Sequence, residues 1–454
     1  MYLLLVILHV MLGFGVAYLP VVVSYAIVGI FALGVYDVIR TRDLNNRAGF
    51  YALYLMGMEV PYRLGRYLLA YEMGKYLCIL ILLTGVIMGM RKRVPLVFLF
   101  LFILLLPSIF LTHGADADEI RKDIMFNISG PLTLVISGLY FYDRFTLLEG
   151  QMKGFKYVFL PAITTIVGLS LKAGLGGIDF SSISSNAEAS GGWGANQMST
   201  ALGWFLVLFF LMKFKGQKLL FFHWIDYAFM SLILIRGLLT FSRGGIMGAL
   251  IAIIIAILVG FFFDQVFRKK IILNLPYVLF GIVVVFFAVL YANKLTNNFL
   301  LYRYMGLSTN EVVNDRRSES SNVLTGRDRI MEGDIAAFKD YPIFGVGYGM
   351  ARSYHAKFYG TGAAAHTEYT RLLSENGVMG LVYNLLAFMI LPAFFWFTNK
   401  STDTRFFFAA FFFLSVMIMF HAAMRLALPG VLFGLSFMRY YDGGATIAVG
   451  EMKQ

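Results

Sequence analysis

Apolar runs of membrane-spanning length recur along this chain, at about 2–18, 20–38, 73–90, 94–112, 126–142, 155–172, 198–213, 219–240, 245–263, 272–293, 377–397, 405–424 and 426–440. No other feature narrows the choice of fold so far. A helix needs about 20 mostly apolar residues to cross a hydrocarbon core of about 30 Å, and inside lipid its backbone polar groups must be satisfied within the segment. Composition agrees: 59% of residues are hydrophobic and 14% charged, against about 45–50% and about 25% in soluble domains. The 45 Phe suit lipid-facing surfaces and the 26 Tyr suit the headgroup level. The expectation is an all-α, polytopic transmembrane helix bundle of about 12 to 14 spans. The first run has no basic n-region and no small-residue cleavage site, so it reads as a retained span. The stretch 49–70 starts apolar and then carries Glu59, Arg63 and Arg66, which leaves a short span, a re-entrant segment and an interfacial helix open. Cys78 is the single cysteine and reads as a packing residue, with no internal disulfide possible.

Basic residues give the orientation. Clusters stand at Arg91–Lys92–Arg93, at Lys213, Lys215 and Lys218, at Arg268–Lys269–Lys270 and from Lys400 to Arg405, in alternate short loops, as cytoplasmic loops do. The opposite loops are then extracytoplasmic: 113–119, the Gly/Ser-rich 173–197, and a long loop from about 294 to 376. Both termini come out cytoplasmic if 49–70 crosses once. The expected division is a transmembrane bundle over 1–293, a large periplasmic loop with short helices over 294–376, and C-terminal spans with a short cytoplasmic tail over 377–454. Connections are usually about 4–6 residues long, and much longer ones tend to be functional. The net charge of +12 is scattered between spans, which argues against nucleic acid and for cytoplasmic anchoring plus a polyanionic substrate.

Three motifs carry candidate chemistry. In LTFSRGGIMGAL, Arg243 sits at the extracytoplasmic end of one span and Gly244–Gly245 opens the next. A glycine pair lets a ligand approach the backbone, and the new helix points free N–H groups at an anion; a snorkelling arginine at a hairpin corner is the bland alternative. In the loop, Arg327 and Arg329 flank Asp328, and a guanidinium fork matches phosphate oxygens; a solvated face with Arg–Asp pairing is the alternative. The segment TGRDRIMEGDIAAFKDYPIFGVGYG reads as an amphipathic helix and a Pro/Gly turn. In AAAHTEYTRLLSENGVMGL, His366 precedes a helix that carries Glu368, Arg371 and Glu375 on one face and continues straight into the span after Gly377. A histidine titrates near neutrality and can accept a proton from an attacking hydroxyl. His355 is its rival; His9, His113, His223 and His421 read as bundle or short-loop residues. No HExxH, CxxC, acidic cluster or P-loop appears, so neither a metal nor a nucleotide cofactor is implied.

The order of SRGG, a pair of spans, a long loop with GR and PIFGVGYG, and an H-T-E helix ending in GVMG resembles the O-antigen ligase and polymerase superfamily of bacterial envelopes. The ligase pattern H-[N/S/Q]-x9-G-x-x-G runs from His366 to Gly380, with Thr367 in its second place. Leu381 and Val382 stand where that pattern has two threonines, which leaves ligase and polymerase both open. Asn196 in GANQMSTALGW matches the family's asparagine at the start of a span. The resemblance implies a metal-independent, GT-C-like glycosyltransferase of the inner membrane with its active face in the periplasm. Its donor would be a glycan on undecaprenyl diphosphate. Its acceptor would be a lipid A core sugar for a ligase or the next carrier-bound repeat for a polymerase. Membrane lipids and a chain-length regulator are the further partners implied. In that reading His366 is the general base, Arg243 and Arg327 stabilise the diphosphate, and Arg329, Arg371, Glu368, Glu375 and Asn196 bind substrate, with Glu375 or Glu368 orienting His366. The rival from another class is a lipid-linked oligosaccharide flippase, kept open by the intramembrane charges Glu59 and Arg63; a non-enzymatic scaffold is the third.

Overall fold

The computed structural model describes the chain except residues 90–94, 183, 274, 308–326, 361 and 442–454. Arg91–Lys92–Arg93, residues 308–326 of the expected long loop and the expected tail after 441 therefore lie outside the described residues. The described chain is helical almost throughout. Its elements are α1 (Tyr2–Tyr18), α2 (Pro20–Thr41), α3 (Arg47–Gly65), α4 (Met73–Met88), α5 (Leu96–Leu104), α6 (Pro107–Leu111), α7 (Ala117–Phe141), α8 (Leu148–Val158), α9 (Leu160–Lys172), α10 (Ala195–Phe214), α11 (His223–Leu239), α12 (Arg243–Phe263), α13 (Gln265–Leu273), α14 (Leu275–Leu295), α15 (Phe299–Tyr304), α16 (Arg327–Asp340), α17 (Arg352–Tyr359), α18 (Glu368–Leu385), α19 (Leu391–Thr398), α20 (Thr402–Ala422) and α21 (Leu428–Ser436). Two three-residue strands, β1 (Phe145–Leu147) and β2 (Arg439–Tyr441), pair in parallel.

Among the described residues, seven helical stretches are long and apolar enough to cross a membrane: Pro20–Thr41, Ala117–Phe141, Leu148–Lys172, Ala195–Phe214, Arg243–Phe263, Glu368–Thr398 and Thr402–Ala422. Four shorter apolar helices join them, Tyr2–Tyr18, Met73–Met88, Leu96–Leu111 and Leu279–Leu295. The protein is a multi-pass, all-α membrane bundle. Exposed apolar side chains agree with lipid as the surrounding solvent: on α14, Leu279, Phe280, Ile282, Val283, Phe286 and Phe287 all face outward.

Close helix crossings are made by small residues, as expected where lipid removes the hydrophobic drive between helices. α12 lies along α10 and α20. A Cβ at Gly245 would come within 2.3 Å of Ser199 on α10, and one at Gly248 within 3.0 Å of Met417 on α20. Aromatic side chains fill the other end of these helices, where Phe267, Phe214 and Phe406 form a cluster of tilted rings with centroids 4.5–5.2 Å apart.

Three expectations change on folding. The run 426–440 does not form a span: α21 has 9 residues, about 14 Å of helix, is buried throughout and ends in β2. The ambiguous stretch 49–70 becomes α3, buried from Leu55 to Gly65. Glu59 and Arg63 pair on it at 2.8 Å, beside the Glu72–Lys75 pair at 2.6 Å at the start of α4, while Arg66 donates to the Gly192 carbonyl. The helix after His366 does not run straight into the membrane. It breaks at Gly377 (φ 59°, ψ −138°) and doubles back, so that Asn384 Nδ2 donates to the Tyr369 carbonyl at 3.0 Å. The span proper starts at Val378.

Candidate active site

The corner between α11 and α12 is shaped by Phe241, whose φ is 54°, and by Ser242, which precedes the first turn of α12. Ser199 Oγ donates to the Ser242 carbonyl at 2.7 Å and ties the corner to α10. The glycine pair behind Arg243 has a packing reason rather than the ligand approach expected. A Cβ at Gly244 would fall 2.0 Å from the His421 ring, and Gly245 lies on Ser199.

Arg243 Nη1 donates to the Arg303 carbonyl at 3.1 Å, and Arg303 Nε donates to the Phe241 carbonyl at 3.2 Å. α15 thereby sits against the α11–α12 corner and brings a second arginine to it. Arg327, at the start of α16, donates from Nη1 to His421 Nδ1 at 3.0 Å. Arg425, just beyond α20, donates to the Ala365 carbonyl at 3.0 Å, next to His366. Among the described residues no carboxylate forms an ion pair with Arg303, Arg327 or Arg425. These cations feel one another. Burial, then Arg243 and Arg327, pushes the Arg303 guanidinium down to about 10, and burial, then Arg243 and Arg425, lowers Arg327. All remain charged at neutral pH, so the cluster is a concentrated positive field that an anion would relieve.

His366 lies in that field. Burial, then Arg425, Arg327 and His355, pushes its pKa down to about 3, so the imidazole is neutral. Its Nδ1 is enclosed and has no hydrogen-bond partner. A buried polar atom without a partner costs about 1–3 kcal/mol, and such costs concentrate at functional sites. His355 is different in kind. Its Nδ1 faces the Ala363 carbonyl at 2.7 Å and its Nε2 the Asp334 carboxylate at 2.8 Å. Both partners accept, so both ring nitrogens carry protons and His355 is an imidazolium. Burial opposes that charge, but the hydrogen bond and charge of Asp334 hold the pKa above its ordinary value.

Glu368 and Glu375 do not reach His366. Both pair with Arg371 on their own helix. Glu368 also accepts from Met424 N at 3.0 Å, and Glu375 from Gly349 N at 2.9 Å. Arg371 completes the cluster by donating to Asn127 Oδ1 at 3.2 Å and to its carbonyl at 3.0 Å. All three side chains are buried, and they join α18 to α7 and to the segment carrying Arg425. A cavity of about 30 Å³ beside them has room for a water molecule but not for a sugar. Arg329 is exposed on α16. Asn196 is at the corner, where its Oδ1 accepts from Ser242 Oγ at 2.9 Å.

The structure thus brings Arg243, Arg327, His366 and Asn196 to one end of the bundle and sets Glu368, Arg371 and Glu375 behind them as a brace. Sequence reasoning missed Arg303, Arg425 and His421. A signal existed: counting crossings puts the residues near 243, 303 and 421–425 at the same end. The charged pairs on α3 and α4 serve this end too. Glu59 Oε2 accepts from Ala427 N at 2.8 Å and Arg63 donates to the Arg425 carbonyl at 3.4 Å, which holds the Arg425 segment in place. No curated protein matches the chain. Residues 228–385, which carry Arg243, Arg303, Arg327, His355 and His366, match the family model described as O-antigen ligase, so this segment is similar to that family.

Proposed function

We propose that the protein is a lipid-linked glycosyltransferase that moves a glycan from an undecaprenyl-diphosphate carrier to an acceptor hydroxyl at the periplasmic face of a bacterial inner membrane. The observation that carries this reading is the convergence of Arg303, Arg327 and Arg425, none ion-paired with a described carboxylate, with Arg243 around a neutral imidazole. A diphosphate leaving group is polyanionic, and the guanidinium fork matches its oxygens. The acceptor oxygen attacks the anomeric carbon and gives its proton to His366. The bond from that carbon to the diphosphate breaks, and its electron pair leaves on the phosphate oxygen. The arginines stabilise that charge as it develops. Among the described residues no carboxylate is hydrogen-bonded to His366, so in this reading none of them orients the base.

The bundle ends support the face. Lys215 pairs with Asp403 at 2.6 Å, Thr402 donates to the Phe263 carbonyl at 3.5 Å, and the Arg405 guanidinium lies 5.0 Å from the Phe263 ring centre. The basic loops near 215, 268 and 405 therefore share one end of α10, α12 and α20, and the arginine–histidine site occupies the other. Basic loops stay cytoplasmic, and this supports a site on the outer side. The intramembrane charges behind the flippase reading, Glu59 and Arg63, pair with each other, and Arg63 also meets Glu72, within the protein.

The test is transfer in proteoliposomes with a defined lipid-linked donor. Arg303→Ala and Arg425→Ala should each lose about 10²–10³-fold in kcat, the loss typical of one oxyanion donor. Wild-type rates in both would remove the anion cluster from the reaction. Surface-glycan gels of a deletion strain then separate the two acceptors: lipid A core left bare while polymer persists on the carrier means a ligase, and single-repeat caps mean a polymerase.

A further inference from the structure

We infer that His421 is a positioning residue for Arg327, held in one tautomer by a hydrogen-bond chain through Ser242 to Asn196. It lies outside the segment that matches the family model and has no surface of its own to offer substrate, being 5% exposed.

The chain has only one consistent direction. Arg327 Nη1 is always a donor, so His421 Nδ1, 3.0 Å away, carries a lone pair. The ring is neutral and its proton is on Nε2. That N–H points at Ser242 Oγ, 3.0 Å away. Ser242 then accepts from the histidine and gives its single proton to Asn196 Oδ1 at 2.9 Å. Three elements meet in it: Asn196 in the first turn of α10, Ser242 at the α11–α12 corner and His421 in the last turn of α20. Gly244 closes over the ring, where any Cβ would clash. The arrangement fixes the ring plane and offers Arg327 an acceptor that cannot turn away.

The physical need is plain. Arg327 stands at the start of α16 and faces other cations. Without an acceptor of its own, mutual repulsion would swing the side chain outward. A neutral imidazole holds one of its N–H groups without supplying an anion that would compete with the substrate. A carboxylate in that place would neutralise Arg327 and weaken its hold on phosphate. The inference rests on the proposed function in one respect, that Arg327 meets the donor diphosphate.

The experiment compares His421→Asn, His421→Gln and His421→Ala in reconstituted full-length protein. The Asn carboxamide oxygen replaces Nδ1 and keeps an acceptor for Arg327, whereas Gln places its polar group where Nε2 was. We expect kcat in His421→Ala and His421→Gln to fall about 10²-fold, the penalty of a misplaced catalytic group, with His421→Asn clearly closer to wild type. Gly244→Ala, which pushes on the ring, should resemble His421→Ala. His421→Ala added to Arg327→Ala should cost nothing more, since its effect passes through that arginine. Equal rates for Asn and Gln, or full multiplication of the two losses, would overturn the role. A reading independent of activity is the ¹⁵N spectrum of histidine-labelled protein, compared with His421→Asn to assign the signal. A neutral Nε2–H imidazole supports the chain, and an Nδ1–H tautomer or an imidazolium refutes it. Wild-type protein that binds no undecaprenyl diphosphate would sink the proposed function, while the ¹⁵N result would still decide the chain.

Discussion

His366 is held neutral first by its burial and then by Arg425 and Arg327, two of the arginines proposed to meet the donor. Its pKa of about 3 makes it a weak base in the free enzyme, whereas efficient bases titrate near the working pH. Bound diphosphate supplies negative charge beside Arg327 and Arg425 and so offsets their effect, raising the imidazole toward neutrality. The prediction is a difference between two pH profiles. The acid limb of kcat, which reports the bound enzyme, should lie at higher pH than that of kcat/KM for the donor, which reports the free enzyme. Coincident limbs would mean that the donor does not sit near His366. His355 answers differently, because it is a clamp. In His355→Ala the buried Asp334 keeps, among the described residues, the hydroxyls of Thr370, at 2.6 Å, and Ser374, at 2.9 Å. Breaking a buried charge pair costs about 3–5 kcal/mol, so thermal unfolding in detergent should move down sharply. His355 has a folded pKa above its unfolded value of about 6.5. Its contribution is therefore complete below about pH 6.5 and fades as pH rises through the folded value. The gap in melting temperature between wild type and variant should narrow in alkali; a gap independent of pH would contradict the imidazolium assignment.

The hairpin at Gly377 is the element that sets the geometry of the loop. Its backbone lies in a region that only glycine occupies at low cost, and a Cβ there would also approach Gly345 N within 2.6 Å. The segment 342–349 docks on this turn through Val346 N to the Ser374 carbonyl at 2.9 Å and Val378 N to the Pro342 carbonyl at 2.7 Å. Gly380 lets the returning helix touch its partner, since a Cβ there would come within 1.9 Å of the Leu372 carbonyl. Gly377→Ala and Gly380→Ala should lose stability and transfer together, the first by at least about 1–3 kcal/mol for backbone strain alone. Melting and turnover measured on the same preparations check this. Normal melting with lost turnover would mean that the glycines act in chemistry instead of packing. The spacing of the two glycines after His366 is thus a folding requirement, and it places His366 beside Arg425 rather than along a straight helix.

At the scale of the whole molecule, the two ends of α10, α12 and α20 differ in chemistry. One end carries Lys215, Arg268 and Arg405; the other carries the arginine–histidine site. Buried Cys78 leaves little background for single-cysteine labelling. Lys357→Cys, on exposed α17, should react with an impermeant maleimide in intact spheroplasts, and Lys218→Cys only after lysis. The reverse pattern would turn the site toward the cytoplasm, where a periplasmic acceptor cannot reach it.

Hydropathy by itself determined that the chain is a helical membrane bundle, because burial in lipid demands long apolar runs with internally bonded backbones. Basic loops determined an expected orientation, and the local motifs marked Arg243, Arg327, His366 and Asn196. Those signals are local in the chain: a run, a cluster, a spacing. Tertiary structure decided everything that depends on partners far apart in sequence. It converted Glu368, Arg371 and Glu375 from candidate substrate ligands into a brace between α18 and α7, since whether a charge is available depends on what neutralises it. It folded the 366–398 stretch into a hairpin at a glycine whose φ no periodicity reveals. It shortened the expected last span to the buried α21, because apolar content does not distinguish a core helix from a lipid-facing one. Most of all it assembled Arg303, Arg425 and His421 around Arg243, Arg327 and His366. Electrostatic fields and hydrogen-bond direction are set by distance in space, and these residues are brought together by helix ends separated by up to 182 positions, from Arg243 to Arg425.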